Sequence, residues 1–161
     1  MTAHQPQLDA SQYSMGSPRA EEMLQKARAM QPVLRERAAQ CKADRKVPVE
    51  TIEEFRQAGF FKVLQAEQFG GYAMDPQVFY EVGLIIAEAC TSSAWVLGVV
   101  AVHNWQLALF DDQAAHDVWG DDPEVLISSS YAPVGKVTPV EGGFKLSGRW
   151  SFSSGSEHCK W

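Results

Sequence analysis

The sequence predicts an α+β chain, all-helical over residues 18–121 and opening into β structure over residues 122–161. Three observations carry this reading. Apolar residues recur at three- and four-residue spacings in separate blocks up to Gly120, the blocks are punctuated by proline and Asx start signals, and past Asp121-Asp122-Pro123 the period shortens to that of strands.

From Pro18 to Asp44, Met23, Leu24, Ala27, Met30, Leu34 and Ala38 form one apolar stripe opposite many charges, which predicts a helix that Pro32 should kink or divide. Val47-Pro48 opens a second helix, with proline in the first turn, acids after it and Gly59 as its C-cap. A connector containing Gly70-Gly71 leads to Asp75-Pro76, an N-cap followed by proline at N1. The helix it starts is apolar enough, through Val78, Phe79, Val82, Ile85, Ile86 and Ala89, to be buried on most sides.

The segment Thr91 to Phe110 is long enough for five helical turns, with Thr91 and Ser92 as N-cap types. At about 100° per residue, Trp95, Val99, Val102, His103, Gln106 and Phe110 fall within roughly a quarter turn, so one face carries Trp95 and His103 together. A short helix follows, capped by Asp111 and closed by Gly120. Strands are then expected over 124–130, 134–140 and 144–153, with Glu141-Gly142-Gly143 as a hairpin turn. These are too few strands to close a barrel or cover a sheet face, so the chain reads as an incomplete protein.

Composition excludes several classes. Twenty acidic against fourteen basic residues give a net charge of −6, which argues against nucleic acid or an anionic membrane as the main partner. No apolar run is free enough of polar residues to span a bilayer. Cys41, Cys90 and Cys159 are odd in number and lack CxxC spacing, so neither a disulfide framework nor zinc is indicated and a reducing cytoplasm fits. The polar N-terminus has no secretory apolar core, and residues 1–17 are expected to be disordered. His116 and His158 have no metal-ligand spacing, and no phosphate-binding glycine motif occurs.

On their residue types alone, His103 is a core histidine or a base, Trp95 and Trp150 are core aromatics or site residues, and Ser128-Ser129-Ser130 is a solvated edge. Strand alternation puts Ser129 opposite its two neighbours. Taken together, LQAEQFGG, SSAWVLGVVAVHNWQLALF, ISSSYAP, VEGGFKLSGRW and FSSGSEH resemble the flavin-dependent aromatic monooxygenases that share the acyl-CoA dehydrogenase fold. Within that group the resemblance is strongest to oxygenase components acting on the phenolic A-ring of secosteroids. It implies an N-terminal helical domain, a central β-barrel and a C-terminal four-helix bundle, of which the bundle is missing from this sequence.

The resemblance also implies a chemistry. A separate flavin reductase supplies reduced FMN or FAD, molecular oxygen adds to it as a C4a-hydroperoxide, and the phenolic ring is hydroxylated ortho to its hydroxyl. His103 matches the substrate-facing base, Ser129 the serine that holds the same hydroxyl, and Trp95 an aromatic lining the cavity. Ser154 matches a serine beside flavin N5, while Tyr131, Ala132, Trp150 and Ser153 match residues meeting the isoalloxazine. A homotetramer is implied. Two alternatives stand beside this one: an acyl-CoA dehydrogenase proper, whose threonine-glutamate-proline motif is replaced here by Ser130-Tyr131-Ala132-Pro133, and a non-catalytic helical module.

Overall fold

The computed structural model describes residues 14–161, so most of the stretch expected to be disordered lies outside the described residues. Residues 14–17 instead make a turn whose last member, Ser17, caps the first helix by accepting the Ala20 N–H at 3.1 Å. That helix, α1 (Pro18–Asp44), runs unbroken through Pro32. A proline forfeits one intrahelical hydrogen bond and crowds the preceding turn. Ala27 and Leu34, both fully buried on either side of it, keep the helix continuous against that loss.

Helix α2 (Val49–Ala58) begins after Pro48, which sits at the N-cap rather than in the first turn, and its Glu54 takes both guanidinium nitrogens of Arg37 on α1 at 2.7 and 2.9 Å. It ends at Gly59 with φ of 84°. A Cβ there would lie 2.6 Å from the Tyr72 hydroxyl, so both the turn and the close approach require glycine. Helix α3 (Pro76–Ala87) is capped by the Asp75 carboxylate, which accepts the Gln77 N–H at 2.8 Å. Burial on most sides is not what forms: Val78, Phe79, Val82, Ile85 and Ile86 face the core while Tyr80 and Leu84 face solvent. An apolar residue outside the stripe that meets α1 and α4 has nothing to pack on.

Helix α4 (Thr91–Gln106) packs against α3 and α1 and continues into a single 3₁₀ turn at Leu107–Leu109. Its N-cap is Cys90, and neither Thr91 nor Ser92 caps it. Helix α5 (Asp112–Trp119), started by the Asp111 carboxylate, sets Ala115, Val118 and Trp119 against Phe69 and Val125 in a small second core. The main core joins α1 to α4 through Leu34, Phe55, Phe60, Val78, Ile86 and Leu97.

The β part is one hairpin, β1 (Lys136–Val140) antiparallel to β2 (Gly143–Ser147), with Val137 opposite Leu146 and every residue of both strands exposed. The expected strand over 124–130 forms no ladder, and Glu124 lies in a turn. Its backbone bonds run to the chain end instead, from Ser128 N–H to the Trp161 carbonyl at 2.7 Å and from Lys160 N–H to the Leu126 carbonyl at 3.1 Å. Residues 134–135 and 148–153 also lie outside the strands. β-propensity needs a partner strand to become a ladder, and only the hairpin supplies one. Among the described residues no helix is long and apolar enough to cross a membrane, and no cluster of metal-ligating side chains occurs.

Candidate functional site

Helix α4 and the extended segment after α5 enclose the first constellation. His103, only 4% exposed, holds its Nε2 2.5 Å from the Ser129 hydroxyl. The Tyr131 ring stacks on the imidazole with centroids 5.9 Å apart and planes 11° apart, and its hydroxyl donates to Gln106 Oε1 at 2.9 Å. The segment's alternation serves this arrangement: Ser128 turns to the Trp161 carbonyl and Ser130 to the Ser151 carbonyl, while Ser129 turns to the histidine. These side chains, with Leu107, Phe110 and Ile127, bound a cavity of about 310 Å³.

The buried Nδ1 of His103 has no hydrogen-bond partner. Either tautomer therefore leaves one ring nitrogen unmatched, because Nε2 alone is engaged, by donation or acceptance. The neighbouring Asn104, also buried, donates to the Phe61 carbonyl at 2.8 Å and fixes α4 to the connector.

A second constellation lies at the other end of α4. Trp95 is 66% exposed and its indole N–H donates to the Ser154 hydroxyl at 3.1 Å. Gly155, with φ of 80°, lets this segment lie directly on the helix, since a Cβ there would come within 2.8 Å of Val96 and 2.9 Å of Val100. Ser153, Ser154 and Trp95 share the wall of an open cavity of about 920 Å³ with Lys42, Arg45 and Lys46. Phe152, just before, is almost fully exposed and has φ of 58°, a conformation that strains an aromatic residue. Burial pushes the nearby Cys159 thiol up to about 11, and burial also lowers the His158 imidazole below its ordinary value.

An apolar groove of about 820 Å³, lined by Leu84, Trp95, Val99, Val102 and Tyr131 among others, runs along α4 between the two ends. Tyr131 borders both this groove and the histidine cavity. The structure thus brings together His103, Ser129 and Tyr131, and separately Trp95, Ser153 and Ser154. Trp150 joins neither group through a hydrogen bond and covers Gly135 and Gly148 at the base of the hairpin. Ala132 holds a tight turn, its carbonyl accepting the Val134 N–H at 2.8 Å. Sequence reasoning placed Gln106 on the histidine's face but gave it no part. Its three-residue spacing from His103 was the available signal.

A four-helix packing with a histidine aimed off its last long helix, running into an exposed hairpin, defines a class of domain. Residues 17–114 match the acyl-CoA dehydrogenase N-terminal domain, and the chain belongs to that family. It is similar to HsaA, the oxygenase subunit of a flavin-dependent monooxygenase of Rhodococcus jostii, at 47% identity over 86% of this chain and 36% of that protein. The crystal structure of the HsaA monooxygenase from M. tuberculosis superposes with a TM-score of 0.86 at 43% identity, over 88% of this chain and 39% of that one. The oxygenase component of an FADH2-dependent resorcinol hydroxylase from Rhizobium is 36% identical over 80% of this chain and 32% of its own length. The chain spans about a third of the length of these relatives, between 32% and 39%.

Proposed function

We propose that this chain forms the phenol-facing part of the oxygenase component of a two-component flavin-dependent monooxygenase, which adds a hydroxyl ortho to that of a phenolic ring. The observation that carries the reading is the pair formed by the buried His103 Nε2 and Ser129 Oγ, 2.5 Å apart on the wall of a cavity of about 310 Å³. That volume suits a single aromatic ring. The adjoining apolar groove of about 820 Å³ takes a larger hydrocarbon remainder, which favours a secosteroid or similar polycyclic phenol over a small one.

In this reading Ser129 holds the substrate hydroxyl and His103 accepts or shares its proton, since a phenolate directs electron density to the ortho carbon better than a phenol. Tyr131 and Gln106 fix the imidazole plane. Trp95 and the groove keep water from the ring. Tyr131, Ala132, Trp150, Ser153 and Ser154 would hold reduced FMN or FAD delivered by a reductase. Ser153 and Ser154, on one cavity wall, offer hydroxyls to ring heteroatoms, and the exposed Tyr131 and Trp150 elsewhere offer aromatic surfaces. Bound reduced flavin supplies the activation of molecular oxygen. FAD is the form to test first, given the FADH2-dependent relative. A cytoplasmic homotetramer completes the proposal.

Titrating the chain with a 4-alkylphenol, followed by the His103 imidazole signals in NMR, tests this reading. Saturable perturbation that is lost in Ser129→Ala, in a variant whose helical circular dichroism is unchanged, supports it. Equal binding by the two proteins, or none by either, sinks it.

A further inference from the structure

The segments that carry His103 and Ser129 meet at one buried amide outside the site. Gln65, in the connector between α2 and α3, is fully buried and has all of its polar groups engaged. Its side-chain nitrogen donates to the Phe69 carbonyl at 2.8 Å and to the Pro123 carbonyl at 3.2 Å, and its Oε1 accepts from Asn104 Nδ2 at 3.4 Å. Asn104, 1% exposed, donates as well to the Phe61 carbonyl at 2.8 Å. One side chain thus touches three segments: the connector that holds it, α4 beside His103, and the start of the segment that carries Ser129. Glycine at position 71 makes room for it, since a Cβ there would lie 2.0 Å from the Gln65 carbonyl oxygen.

Successive helical residues point about 100° apart, so clamping Asn104 sets the rotation of α4 and with it the direction of its neighbour His103. Ser128, Ser129 and Ser130 alternate in direction, so a slip of one residue would turn Ser129 away and offer His103 a neighbouring serine instead. Arg56 and Lys62 also reach the start of this segment, at Glu124, but neither is fully buried and neither bonds to α4. We infer that Gln65 is a positioning residue for the His103–Ser129 pair, holding the rotation of α4 and the register of the serine segment to one another. The inference rests on the reading of that pair as the phenol-facing one.

Gln65→Met tests it, because methionine keeps the length of the side chain and removes its donors and its strong acceptor. In the ligand-free 161-residue chain at about pH 8, where an ordinary imidazole is neutral, long-range proton–nitrogen NMR reads the two ring nitrogens of His103. The bond to Ser129 favours one tautomer and holds the two nitrogen signals far apart. In Gln65→Met they are expected to move toward each other as the tautomers mix, and affinity for 4-ethylphenol should fall about tenfold. Val78→Ala, which opens a cavity in the same core outside this network, should lower the thermal midpoint while leaving the ring signals in place and the affinity within about twofold. Hydrogen exchange in the wild-type protein adds a readout that needs no variant: the Gln65 carboxamide protons should exchange at least about tenfold more slowly than those of the exposed Gln77. Unmoved ring signals in a folded Gln65→Met, equal movement in Val78→Ala, or exchange at Gln65 as fast as at Gln77 would each overturn the inference. A wild-type chain that binds no phenol sinks the functional reading instead, and the ligand-free signals still decide on Gln65.

Discussion

His103 and Trp95 stand eight residues apart on α4, on what the sequence makes one face, yet their surroundings are opposite. At the histidine end the 127–131 segment covers the side chain, with 4% of the residue exposed beside a cavity of about 310 Å³. At the tryptophan end the side chain is left uncovered, with 66% of the residue exposed beside a cavity of about 920 Å³. A hydrogen-bonded pair keeps its geometry where packing removes the alternatives, and the buried His103 has such packing at the first end. At the second, a single indole-to-hydroxyl hydrogen bond and a glycine contact hold the tail to the helix. The same helix thus offers a preorganised site and an adaptable one.

The largest expected break in this contrast is catalytic. In a hydroxylation assay with reductase, reduced flavin and a phenol, His103→Asn should slow product formation by about 10²- to 10⁴-fold. The deficit should shrink toward pH of about 10, where solution ionises the phenol itself. Trp95→Phe should change the rate far less, because it removes no proton acceptor. An equal loss in both variants would erase the distinction between the ends.

Stability should divide the ends next. Ser129→Ala leaves both ring nitrogens of a buried histidine unpaired and should cost about 1–3 kcal/mol in urea denaturation. Ser154→Ala, which lets an exposed indole turn to water, should stay within about 0.5 kcal/mol. In the oxygenase reaction that same variant should instead raise hydrogen peroxide release.

Glycine replacements sharpen the open end further. Gly155→Ala meets both a left-handed φ and the Val96 and Val100 methyl groups, so it should destabilise by about 1–2 kcal/mol and shift Trp95 fluorescence. Gly142→Ala, at φ of 79° with nothing near, bears the backbone term alone, about 1 kcal/mol or less, and leaves the fluorescence unchanged.

The smallest effect concerns His158, which burial keeps neutral beside the tail. Its folded value lies below the ordinary 6.5, so the unfolded chain takes up a proton more readily. Stability is therefore full above about pH 6.5 and falls as pH drops through the window below it. Thermal midpoints measured from pH 7.5 down to 5 should show this slope, and His158→Gln should flatten it.

Much of this was legible in the residues. The starts at Pro18, Asp75-Pro76 and Asp111 and the stop at Gly59 are local hydrogen-bond chemistry, and all appear where capping rules put them. Pro32 does not divide α1, because the penalty of a proline is local while the burial of Ala27 and Leu34 that outweighs it is not. The run at 124–130 misled for the converse reason, its β-branched residues having no ladder partner.

For the site, the 3.6-residue period by itself determined that Trp95, His103 and Gln106 share a face, and the two-residue alternation that Ser129 points away from Ser128 and Ser130. Which end of that face is covered was decided only by the tertiary structure. The 127–131 segment crosses α4 at His103 and not at Trp95, bringing Ser129 from 26 residues away to 2.5 Å and laying Tyr131 on the imidazole. Periodicity fixes the direction of a side chain from its own neighbours. What it meets there depends on chain distant in sequence, and no local rule carries that information.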